Sequence, residues 1–153
     1  MANAQQFCTF YVDGQFFGVP VQQVQEVIRY QEMTRVPLVP RVIRGLINLR
    51  GQIVVAIDLR RRLNATDRLA DQLPMNVVVR TGDGAVSLLV DEIGDVLEVQ
   101  DDTFEPPPET LQNSSRELVL GVHKLPRQLL LILDIEKAVN GTDSEAASAG
   151  PEL

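Results

Sequence analysis

The apolar positions of this chain fall in short, β-branched runs rather than in long helical stripes. Phe7-Cys-Thr-Phe-Tyr-Val12 has the aromatic and β-branched content of a strand. Asp13-Gly14 is a two-residue hairpin signal, because such turns need residues that tolerate positive φ, and Phe16-Phe-Gly-Val19 returns as the partner strand. Pro20 suits the first position of a short helix, and Val21, Val24 and Val27 or Ile28 recur at a spacing that places them on one helical face. This predicts a helix with Glu26 near its C-terminal end, where the helix dipole gives a carboxylate no advantage. Residues 27–36 read as extended again, up to Pro37.

Residues 37–60 are the most organised stretch. Pro37 and Pro40 fix φ and lack amide donors, so no helix runs through them and a turn or short cap is expected. Arg50-Gly51 then separates two apolar runs, Gly45–Leu49 and Ile53–Ile57, each short and β-branched enough to be a strand. The predicted hairpin lifts Asn48 and Arg50 to the rim of its sheet, a polar tip on an apolar stem that would serve as a contact site. Asp58 caps one helical turn through Leu63, which Asn64 can end.

Beyond a polar, mobile loop at 64–74, Asn76–Arg80 and Ala85–Val90 read as strands joined through Gly82-Asp-Gly84. Ile93–Val99 is a further strand with Gly94 at a bulge. Residues 101–117, with three successive prolines, make a long irregular connection of the kind that crosses a domain or carries function. Leu118–Val122 and Leu129–Leu133 form a last hairpin, turning near Pro126-Arg127. Asp134 caps a short helix over 135–140 that Gly141 stops. Residues 141–153, rich in Ala, Ser and Glu, are expected to be a disordered tail.

The tally is nine or ten short strands and only brief helices, hence a mostly β protein of one or two small barrels. A single sandwich explains the same periodicity. At 153 residues and 44% hydrophobic content there is material for one compact domain or two small ones sharing a core. No apolar run approaches the ~18 residues of a membrane span, and the N-terminus lacks the pattern of a secretory signal. One cysteine, Cys8, makes no internal disulfide, which fits a reducing cytoplasm.

Net charge is −7, unevenly spread. Arg29 to Arg68 holds nine arginines against three acids, and Asp83 to Glu109 holds nine acids and no Lys or Arg. Opposed patches of this kind orient protein partners, although solvated loop faces would read the same way. Catalytic chemistry is poorly provided for. His123 and Cys8 are each the single residue of their type, and no nucleophile elbow, P-loop or HExxH motif occurs. Asp91-Glu92 and Asp101-Asp102 read as surface charges, since adjacent acids in strand or loop point in different directions. A nucleic-acid-binding barrel is the rival class, given Arg60-Arg-Arg62. With aromatics at 5% and only Tyr30 among the arginines, a stacking platform is missing, and the acidic stretch would repel phosphate.

A protein-interaction module remains, and opposite charges in apolar settings focus it. Glu26 lies in Val24-Gln-Glu-Val-Ile28, and Arg50 lies in Leu46-Ile-Asn-Leu-Arg-Gly51. They are expected to pair across adjacent segments, either as part of a binding site or simply to hold the fold.

These segments, with Gly18-Val-Pro-Val21, Pro37 and Pro40, and Ile53-Val-Val-Ala-Ile-Asp-Leu-Arg60, resemble the CheW family of chemotaxis coupling proteins. Leu89–Val96, Leu120-Gly121 and Leu131–Lys137 extend the resemblance more weakly, to roughly residues 7–140. It implies two interleaved five-stranded SH3-like β-barrels with short helices within residues 1–140. It also implies a non-enzymatic cytoplasmic adaptor, without cofactor or metal, recruited to membrane-associated receptor arrays. Its partners would be the cytoplasmic hairpin of a chemoreceptor and the regulatory domain of the CheA histidine kinase. By the same resemblance, the receptor groove would involve Val24, Glu26, Val27, Asn48, Arg50 and Val96, with Asp91 nearby. A scaffold for a chemotaxis-like pathway with another output, such as surface motility, is the alternative within this class. The run Arg60-Arg-Arg62 exceeds the family pattern and is expected to reflect a particular partner.

Overall fold

The central strands are buried on both faces, and this sets the architecture. The computed structural model describes residues 3–140. Eleven strands follow in order: β1 Ala4–Val12, β2 Gln15–Pro20, β3 Val24–Ile28, β4 Ile43–Leu49, β5 Gln52–Asp58, β6 Met75–Thr81, β7 Gly84–Val90, β8 Glu92–Gln100, β9 Phe104–Glu105, β10 Val119–Lys124 and β11 Leu129–Leu133. The helices are brief: α1 Leu59–Arg62, α2 Asn113–Arg116 and α3 over residues 135–140. A six-stranded sheet runs β8-β1-β2-β11-β10-β9, and a five-stranded sheet runs β3-β6-β7-β5-β4. The chain starts in the first sheet, builds the whole second sheet and then returns. On its return β11 pairs with β2 in parallel, which is the interleaving. The first sheet exceeds the expected five strands because two-residue β9 pairs with β10.

Alternate residues of one strand enter different cores. Val77 and Val79 of β6 and Leu88 and Val90 of β7 face a core shared between the sheets, where Phe10, Val12, Phe17, Val19, Leu131 and Leu133 meet them. Val78 and Leu89 point the other way, into a second core with Ile47, Leu49, Val54 and Ala56. In the first sheet Phe7, Phe16, Leu130 and Ile132 form a third core on the far face. A strand with apolar partners on both faces has no polar side, so it reads as a continuous apolar run.

Several local predictions hold. Asp13 and Gly14 have φ of 51° and 75°, and Arg50 and Gly51 have φ of 51° and 88°, as two-residue hairpin turns require. Cys8 pairs with Val96 and Phe10 with Ile93, so Thr9 faces both Gly94 and Asp95 in the expected bulge. The predicted helix beginning at Pro20 is a correction: only Val21–Gln23 makes one 3-10 turn, and Val24–Ile28 is strand β3, antiparallel to β6. Valines at 24 and 27 satisfy a helical period, but the strand spares their β-branched side chains the helical χ1 restriction and supplies β6 as partner. Most of 29–36 is not strand, being tied by one bridge between Thr34 and Leu46. The connection at 101–117 carries a 3-10 turn, β9 and α2. The expected tail and its Gly141 stop lie outside the described residues.

The basic run is spent inside the molecule, not held out for a partner. Arg60 makes two hydrogen bonds of 2.9 Å to Asp91, Arg61 bonds Asp67 and the Arg41 carbonyl, and Arg62 bonds the Ala138 and Lys137 carbonyls of α3. Asp58 caps α1 through the Arg60 amide and is fully buried, with Arg44 at 3.0 Å and Arg68 at 2.9 Å. Arg68 also meets Asp91 at 2.9 Å, and Asp91 accepts the Asp13 amide at 2.7 Å. One ionic chain therefore links the β4–β5 hairpin, the 64–74 loop, the β7–β8 junction and the β1–β2 turn. Burial alone would raise the Asp91 pKa, but bonds from Arg60 and Asp13 and the nearby guanidinium charges hold it below the ordinary carboxylate value. Asp91 is thus no free surface charge.

Removing one member of a buried ion pair strands the others in low dielectric. Asp58→Ala is expected to cost ~3–5 kcal/mol in urea unfolding. Arg41→Ala, which breaks the exposed contact with Asp67, should cost no more than ~1 kcal/mol.

Candidate functional site

Each sheet ends in edge strands, and the residues singled out from sequence lie on them. The second sheet closes incompletely: β3 and β4 are its two edges, and the bridge from Thr34, in the segment after β3, to Leu46 of β4 ties that segment to the far edge. Glu26 of β3 and Arg50 at the tip of the β4–β5 hairpin form an ion pair across that closure. The Arg50 side chain is 75% exposed and that of Glu26 19%, so the pair sits at the rim with its carboxylate turned inward. Asn48 accepts the Gly51 amide at 2.9 Å, which fixes the turn that presents Arg50.

Register places the apolar members. Val24 and Val27 pair with Val79 and Val77, both in the shared core, so they lie on the face that presses against the first sheet. Val96 pairs with Cys8, which packs against the same core, so it faces the second sheet from β8. At these outermost strands the sheets no longer cover one another: Val27 is 38% and Val96 56% exposed. A cleft of about 370 Å³ lined by Gln6, Glu98, Val21 and Gln22 continues this opening from β8 to the segment leading into β3. Glu26 pairs with Val78, on the opposite face of β3. The site therefore has an apolar strip between the sheets and an ionic rim beside it.

Asn48 takes part from another direction, lining a cleft of about 550 Å³ with Tyr30, Met33 and Leu46. Asp91 does not join the site, being held by Arg60 and Arg68. Sequence reading missed Ile53, which pairs with Asn48 on the hairpin and is 61% exposed. Its place in an apolar run suggested core, and only the register and burial of β5 show otherwise. Among the described residues no group of three or more His, Cys, Asp or Glu side chains could hold a metal ion, and no helix is long and apolar enough to cross a membrane.

A family model for the CheW-like domain matches residues 6–143. The chain belongs to the CheW family. Chemotaxis protein CheW of Klebsiella aerogenes is 31% identical over 139 residues, covering 91% of this chain and 84% of the relative. Chemotaxis protein CheW of Bacillus subtilis is 32% identical over 145 residues, covering 95% and 93%. The crystal structure of the scaffolding protein TtCheW from Thermoanaerobacter tengcongensis superimposes with a TM-score of 0.80 at 25% identity, covering 89% of this chain and 92% of that one. CheW membership makes the chain a non-enzymatic chemotaxis coupling adaptor, and the expected mostly β fold of two SH3-like units stands with it.

Away from this site, His123 is buried against Phe7 and Phe104, and burial lowers its pKa from 6.5 despite the opposing charge of Asp101. A histidine held neutral stabilises the fold above its unfolded pKa, and that contribution is lost as pH falls through the lower folded value. Thermal melts from pH 8 to pH 5 should show Tm falling below about pH 6.5, and His123→Phe should flatten that part of the slope.

Proposed function

We propose that this chain couples the cytoplasmic hairpins of chemoreceptors to a CheA histidine kinase within membrane-associated arrays, acting entirely through protein contacts. The supporting observation is the register that turns Val24, Val27 and Val96 into one opening between the sheets, beside the Glu26–Arg50 rim. An antiparallel helical hairpin presents an apolar stripe with charged flanks, which is the complement of such a groove. Val27 and Val96 anchor the stripe, and the hairpin tip with Asn48 and Arg50 contacts its polar flank. Residues 1–140 form the coupling domain, and the kinase regulatory domain binds elsewhere on the two barrels. With few anchors, the isolated contact should be of about micromolar strength, with array avidity adding the rest.

Calorimetric titration with a receptor hairpin tests this reading. Val27→Asp and Val96→Asp should each weaken binding at least ~10-fold while changing stability by less than ~1 kcal/mol, since both side chains are already partly exposed. Glu26→Arg and Arg50→Glu should each weaken binding, with partial recovery in the double variant. If the charge reversals reduce stability and binding in equal proportion, the ion pair serves only to clasp β3 to the hairpin. If the valine variants bind normally, the groove reading is wrong.

A further inference from the structure

A second surface lies on the first sheet, apart from the residues of the groove. A cleft of about 390 Å³ is lined by Phe7, Phe104, Leu120, Ile132, His123 and Asp101. Phe104 and Leu120 are large apolar side chains left exposed beside it. Gly121 makes room for this wall: a Cβ there would lie 2.3 Å from the Phe104 ring and 2.5 Å from the Glu105 carbonyl oxygen.

The floor holds an unusual polar atom. His123 is 3% exposed, and its Nδ1 lies 2.7 Å from Thr103 Oγ1. That hydroxyl has one hydrogen and donates it to the Gln100 carbonyl at 2.8 Å. It must therefore accept from His123, so the proton sits on Nδ1 and Nε2 carries a bare lone pair. Nε2 has no partner among the described residues. Nε2 is not among the fully buried unpartnered atoms of the described residues, so it reaches the cleft, where a ligand N–H can take the place of water on it.

Charge indicates what brings the donor. Asp101 lines the cleft and Asp102 follows it. Of the nine acids from Asp83 to Glu109, only Asp91 and Glu105 form ion pairs within the described residues. The arginine-rich stretch, by contrast, spends most of its charge on Asp58, Asp67, Asp91 and Glu26. The acidic stretch is thus the uncompensated one, and Asp101 brings part of it to the cleft.

We propose that this cleft docks a basic, amphipathic segment of a protein partner. One aromatic or aliphatic side chain of that segment fills the cavity, an N–H donates to His123 Nε2, and Lys or Arg residues lie over Asp101 and Asp102. The surface meets the cleft that continues the groove only at Gln5, shares none of Val24, Glu26, Val27, Asn48, Arg50 or Val96, and stands whether or not that groove binds receptors.

The chain contains no tryptophan, so an indole in a probe reports binding without background. The probe is the doubly capped peptide Lys-Arg-Trp-Leu-Arg-Lys, titrated into the full chain and followed by fluorescence. A saturable blue shift is expected, with a Kd between roughly 10 μM and 1 mM. Leu120→Lys, at an exposed position, should weaken binding at least ~10-fold, as should the paired Asp101→Lys and Asp102→Lys. His123→Phe, which keeps the packing and removes the acceptor, should weaken it about fivefold. Asp83→Lys with Glu92→Lys, the same charge change away from the cleft, should stay within about twofold. Equal weakening by the two charge-reversed pairs, or binding indifferent to Leu120→Lys, overturns the proposal, because the peptide would then follow net charge alone. Absence of any saturable shift overturns it as well.

Discussion

Burial of the central strands on both faces is the constraint from which the rest of this structure follows. β6, β7, β2 and β11 each divide one core from another, with odd and even residues serving different sides. Neither sheet could expose those faces to water without losing the burial of Val77, Leu88, Phe17 and Leu131, so the two units form as one body. The chain path reinforces this. Because β3 to β7 lie in sequence between β2 and β11, the first sheet joins strands from both ends of the described chain around the whole second sheet.

Ion pairs complete what the shared core begins. Asp91 stands where the chain leaves β7 of one sheet for β8 of the other, and it receives Arg60, Arg68 and the amide of the β1–β2 turn. Desolvating so many charges is expensive, and such a network is tolerable only because each carboxylate oxygen has a donor. Its effect is positional: it joins segments that the apolar contacts alone would leave free to shift. Three consecutive arginines that look like a surface tract are consumed in this way.

The surfaces proposed for binding arise where that mutual coverage stops. Val27 and Val96 carry the orientation of core residues but sit on edge strands, so they are only partly covered. An adaptor needs such places: apolar faces held rigid by the core behind them and left open at the margin. The rim pair Glu26–Arg50 places charge beside the strip and clasps β3 to the β4–β5 hairpin at the same time, so under the proposed function one pair of side chains would serve both structure and recognition.

Local signals in the sequence determined the strands, the hairpin turns at Asp13-Gly14 and Arg50-Gly51, the Gly94 bulge and the Asp58 cap, because each depends on neighbours a few residues away. They also determined that the central strands are apolar throughout and, through motif similarity, the family. Residues 21–28 show the limit: the valine spacing suits a helix, and only the presence of β6 alongside makes β3 a strand. The same holds for Arg60, Asp91 and Ile53, whose charge or apolar character is plain in sequence while their partners are not. Ion pairing and exposure depend on which segments lie across the sheet interface, and that information belongs to the tertiary fold.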